Sequence, residues 1–107
     1  MNFMAAMGPD FKTAYRSAAP ASNADVGRTI AHLLGLKIVP KGRLTGRVLN
    51  EALVGGKDVS YSAKTSSSAP TPLGLRTLLR YWVVGSTRYF DAAGFADRTV
   101  GLDASGR

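Results

Sequence analysis

At 107 residues the chain has the length of one small domain, and 45% apolar with 20% charged residues is ordinary globular composition, which excludes an intrinsically disordered chain. The lack of cysteine excludes disulfides, Cys-ligated zinc and a thiol nucleophile, and it leaves the redox compartment undetermined. Fourteen Lys and Arg against seven Asp and Glu give a formal charge of +7, which favours anionic partners without naming one.

In chain order, Phe3 to Met7 is a short continuous apolar run stopped by Gly8-Pro9. Its length and stop signal predict a strand buried on both faces, ending near Met7 because proline cannot extend a ladder. The N-terminal stretch MNFMAAMGPD has no basic residues before its apolar run, so no secretory signal is read there, and location stays open. No stretch approaches the ~20 apolar residues of a membrane span, so no membrane partner is expected. Residues 10–21 read as a loop.

Within SNADVGRTIAHLLGL, residues 22–36, Val26, Ile30, Leu33 and Leu34 recur at the spacing of one helical face and predict a buried stripe. Ser22 or Asn23 can cap the first turn, Asp25 suits the positive end of the helix dipole, and Gly35 suits a left-handed C-terminal position. Leu36 to Val39 could form a short strand ending at Pro40. Lys37, Lys41, Arg43 and Arg47 follow, four basic residues within eleven and no acid between them. A solvated face is the favoured account of this cluster; a polyanion-binding or nucleic-acid surface is the alternative.

Leu44, Val48, Leu49 and Leu53 predict a short second helix around GRVLNEAL. Residues 55–74 are rich in Ser, Thr, Gly and Pro and read as a flexible loop. Gly55-Gly56-Lys57 is no phosphate loop, because it lacks the preceding glycine and the following Ser or Thr. TLLRYWVV and TRYFD then read as strands joined by a Gly85-Ser86 turn. That turn pairs Val84 with Thr87, Trp82 with Tyr89, Tyr81 with Phe90 and Arg80 with Asp91. One face then carries Trp82, Val84 and Tyr89, and the other Leu79, Tyr81, Val83 and Phe90.

Asn23, Asp25, Thr29 and His32 are residue types of a metal or phosphoryl-transfer site, but the spacing does not assemble one. Asp25 and His32 lie seven residues apart, about 10 Å along a helix, too far to share an ion. His32 is the only histidine, no GxSxG elbow occurs, and no nucleophile, base and electrostatic stabiliser converge. From the residues alone, no catalytic and no metal-ligating position is assigned.

The succession AAMGPDFK, APASNADVGRTIAHLLGL, KGRLTGRVLNEAL and VGSTRYFDAAGF resembles the C-terminal end of type I phosphodiesterase/nucleotide pyrophosphatase-like proteins of the alkaline phosphatase superfamily. Asn23, Asp25, Thr29 and the Leu33-Leu34-Gly35-Leu36 run match its helix motif, while Arg28 stands where that motif usually has proline. The resemblance implies an α/β fold, the C-terminal piece of an alkaline-phosphatase-like αβα sandwich with a buried strand, one main helix, a short second helix and a C-terminal β-hairpin. It divides the chain into a core piece over 1–54, the loop over 55–74, and a hairpin and tail over 75–107. It also implies a metal-dependent phosphoric ester hydrolase that holds zinc in the full-length family, with nucleophile and metal ligands upstream. None of these maps onto this chain, and Thr29 matches the helix motif, not the nucleophile.

The expectation is therefore a fragment inactive alone, a truncated product or one with a misassigned start. It would bind no cofactor of its own and would self-associate or pair with an upstream fragment of the parent. The alternative is a small basic module binding polyanions through Lys37, Lys41, Arg43 and Arg47, with nucleic acid the less favoured partner.

Overall fold

The computed structural model describes residues 3–43 and 46–102, and among them it is mixed α/β, with one α-helix and a three-stranded antiparallel sheet. The contacts fall into two compact units, Met1–Val59 and Ser60–Arg107. No helix among the described residues is long and apolar enough to cross a membrane.

In the first unit, α1 spans Asn23–Leu33. Ser22 is its N-cap, and the Asp25 carboxylate reaches back to accept from the Ser22 backbone N–H at 2.7 Å, satisfying a donor that the first turn leaves without an intrahelical partner. The helix stops in a Schellman arrangement. Gly35, at φ 66°, donates to the His32 carbonyl, and Leu36 donates to the Ala31 carbonyl at 2.8 Å.

The helix lies where periodicity places it, but its buried face differs. Asp25, Thr29 and Ala31 are buried, whereas Ile30 and Leu34 are 49% and 66% exposed and Val26 and Leu33 are half-buried. The apolar stripe is thus not the helix's packing face.

What packs against α1 is the stretch 46–53. Gly46 runs so close to the helix start that a Cβ there would overlap the Ala24 carbonyl. The predicted second helix is reduced to one 3₁₀ turn, Asn50–Ala52. The cause is visible in the hydrogen bonds: the N–H groups of Arg47 and Leu49 are taken by side chains of α1, which draws that backbone away from an i→i−4 ladder. Leu49 and Leu53 are nonetheless buried as expected, Val48 is half-buried, and Leu44 lies outside the described residues. Phe11 forms an isolated bridge with Leu53, flanked by Lys12 N–H to the Ala52 carbonyl and Val54 N–H to the Asp10 carbonyl.

Two predicted strands are not formed. Residues 3–7 pair with no strand among the described residues, and Phe3 and Met7 are 93% and 94% exposed, so the expected buried strand is corrected to an exposed segment. Leu36 to Val39 is likewise unpaired, with Val39 exposed. Apolar character favours strand pairing only where a partner ladder is supplied.

In the second unit the strands β1 Ser62–Ser67, β2 Leu78–Val84 and β3 Thr87–Gly94 lie in the order β1-β2-β3. β1 falls inside the stretch expected to be loop. Its six residues are all exposed and strand-poor in composition, and pairing with β2 supplies the order that local propensity does not. The hairpin follows the expected register from Val84–Thr87 through Tyr81–Phe90. It then shifts at Arg80/Tyr81, so Arg80 pairs with Ala92 and not with Asp91 as expected. A β-bulge accommodates the extra residue, and Asp91 still accepts from Arg80 Nε at 2.8 Å and from Trp82 Nε1 at 3.3 Å. Among the described residues of this unit, Val84 and Leu102 are the buried apolar ones.

Candidate functional site

The buried polar groups of the first unit form one connected hub. Asp25 is fully buried and its two carboxylate oxygens are shared, Oδ2 accepting from Ser22 N–H and Oδ1 from Arg47 N–H at 2.8 Å. One turn on, the Thr29 hydroxyl donates to the Asp25 carbonyl at 2.7 Å and accepts from Leu49 N–H at 3.0 Å. The Arg47 guanidinium forks onto Glu51 through Nη1–Oε2 at 2.9 Å and Nη2–Oε1 at 2.7 Å, and Nη2 also donates to the Pro20 carbonyl. No buried side-chain nitrogen or oxygen among the described residues lacks a partner. A fully satisfied network of this kind fixes geometry, because each of its groups would be costly if left alone in a low dielectric.

Burial pushes the Glu51 carboxyl up, but the hydrogen bonds from Arg47, a backbone hydrogen bond and the Arg47 charge outweigh it, and the net effect holds Glu51 below its ordinary value. At the surface, Tyr15 donates to Asp58 at 2.8 Å, which raises the phenol above its usual range, and the Lys12 ammonium lies 4.6 Å from the Tyr15 ring centroid. A concavity of about 1190 Å³ opens beside the helix start, with Phe3, Met4, Tyr15, Val26 and Leu49 in its wall.

The sequence-predicted candidates separate. Asp25 is buried in the hub while His32 is exposed on the helix, so the two are not brought together. Lys37, Lys41 and Arg43 are exposed in irregular chain. Arg47 does not join them, because its guanidinium is engaged by Glu51 and Pro20 and its side chain is 13% exposed. Glu51 is the hub residue that sequence reasoning passed over. Its spacing of four from Arg47 was the available signal, a pairing distance on a helix that the chain realises around a 3₁₀ turn.

No group of three or more His, Asp or Glu that could hold a metal ion is found among the described residues. Comparison with protein-family models, with curated proteins and with solved structures finds no match.

Proposed function

We propose that this chain is the C-terminal, non-catalytic part of a metal-dependent phosphodiesterase/nucleotide pyrophosphatase-type hydrolase of the alkaline phosphatase superfamily. In this reading its nucleophile and zinc ligands belong to another stretch of polypeptide. The observation that carries the reading is the interlock of two family-like motifs. Asp25 and Thr29 of the helix motif are tied to Arg47, Leu49 and, through Arg47, Glu51 of GRVLNEAL. Asp25 and Thr29 are the motif residues that enter the buried hub, whereas Asn23, Leu34 and Leu36 are exposed, and in this reading the two buried ones serve as scaffold. The exposed Phe3 and Met7 are consistent with the same reading, since apolar side chains left open to water fit a chain that packs against further polypeptide.

The test is hydrolysis of an aryl phosphodiester with added zinc, by the chain alone and by the chain co-expressed with polypeptide encoded upstream of it. Turnover only in the co-expressed sample supports the proposal. Turnover by the chain alone in proportion to bound zinc overturns it, as does failure of any upstream polypeptide to confer activity. The polyanion reading would rest on Lys37, Lys41 and Arg43 without Arg47, and salt-sensitive heparin binding lost in a triple Ala variant of those three would favour it.

A further inference from the structure

The two faces of the sheet differ. Toward one face, Trp82 and Arg80 converge on Asp91, and the segment after β3 closes on the same strands, with Gly101 beside Arg80 and Ala92. The opposite face presents the cross-strand rows Ser62–Val83–Arg88, Lys64–Tyr81–Phe90 and Ser66–Leu79–Ala93. Phe90 is 71% exposed. Tyr81 packs edge-on against it with ring centroids 6.4 Å apart, and the Arg88 guanidinium lies 5.6 Å from the Tyr81 ring centroid. These rows contain two cations and no carboxylate.

An exposed aromatic face with cations on both sides has the chemistry of a single-strand platform: a base stacks on the ring and the flanking charges meet phosphates. The geometry points to this face of the β1-β2-β3 sheet as a binding surface for single-stranded nucleic acid, with Phe90 as the stacking residue and Lys64 and Arg88 as the phosphate contacts. Phe90 presents its ring because Tyr81 braces it from the side, which keeps the stacking surface ordered before the ligand arrives. Arg88 is held over Tyr81, so its charge sits beside the stack and loses less freedom on binding. Lys64 lies two strand spacings from Phe90, roughly 10 Å, a reach that spans neighbouring phosphates along an extended strand. The surface belongs to the second unit and shares no residue with the Lys37, Lys41 and Arg43 cluster of the first, and the inference is independent of the hydrolase reading.

The experiment is fluorescence anisotropy of a labelled oligothymidine of about twelve nucleotides, titrated with the full chain at several salt concentrations. Saturable binding is expected, weakening as salt rises. Phe90→Leu keeps apolar bulk but removes the stacking face, and it is expected to lose on the order of tenfold in affinity with an unchanged thermal melt. Lys64→Ala with Arg88→Ala is expected to flatten the salt slope by about 1.4, two single-strand phosphate contacts. The proposal is overturned if the wild-type chain shows no saturable binding, or if Phe90→Leu binds as tightly as wild type. It is also overturned if only the triple Ala variant at Lys37, Lys41 and Arg43 abolishes binding. Self-association that Phe90→Leu abolishes, seen by sedimentation without oligonucleotide, would assign the face to a second copy of the chain and overturn it equally.

Discussion

Arg47 and Glu51 meet as a two-pronged ion pair around a 3₁₀ turn, with both guanidinium Nη atoms on both carboxylate oxygens and Glu51 only 2% exposed. Removing one partner strands a buried charge, and removing both does not. Arg47→Met is therefore expected to cost about 3 kcal/mol or more, with Arg47→Met/Glu51→Leu recovering most of that loss. Urea unfolding of the two variants checks this, and a double variant no more stable than the single one would refute it.

Acid should act on the same pair. Glu51 is held below its ordinary value, so the unfolded chain takes up its proton at a higher pH than the folded one does. The stability it contributes is fully present above the unfolded carboxyl range and is lost as pH falls through the depressed folded value. Urea midpoints measured from neutral pH downward should fall more steeply for the wild type than for Glu51→Gln. Parallel curves would remove Glu51 as the cause.

The Thr29 hydroxyl joins α1 to the stretch 46–53. Thr29→Val keeps the shape but leaves the buried Leu49 N–H without its acceptor, an expected loss of about 1–3 kcal/mol, whereas Thr29→Ser keeps the hydroxyl and should lose much less. Comparing the two melts reads the hydrogen bond directly. Equal stability of Val and Ser variants would show that Leu49 finds another acceptor.

Gly46 is required by close approach. A Cβ there meets the Ala24 carbonyl and the Asp25 backbone, and backbone atoms cannot swing aside as a flexible side chain would. Gly46→Ala is expected to destabilise by about 1–3 kcal/mol, like other overpacking substitutions. Gly42→Ala, whose Cβ would meet nothing within 4 Å, should be near neutral and serves as the control.

Legibility in the sequence followed the range of the interactions. The hairpin was readable because Gly85-Ser86 sets its register locally, as far as Tyr81–Phe90. The shift beyond that point was not, since a bulge leaves the Arg80–Asp91 attraction intact while changing which Cα atoms oppose each other. The helix ends were readable from Ser22 and Gly35, which act within a turn. Its packing face was not, because Asp25 and Thr29 are buried through donors about twenty residues away, and hydropathy counts them as surface residues. For the same reason the hub was missed as a whole, although Arg47 and Glu51 advertised themselves by spacing. β1 was invisible because its order comes from Leu78–Val84 rather than from Ser, Ala, Lys and Thr themselves. What joins Asp25, Thr29, Arg47 and Glu51 is visible only at the level of contacts, in hydrogen bonds that spacing along the chain does not display.

The sequence of β1 has one more consequence. In the order β1-β2-β3 its outer rim faces no further strand among the described residues, and that rim is built from serine, threonine, alanine and lysine. A neighbouring molecule seeking to extend the sheet there would have to strip water from hydroxyls and an ammonium before gaining a single ladder hydrogen bond. The polar strand thus works as a selvedge, finishing the sheet with side chains that are uninviting to another copy of the chain.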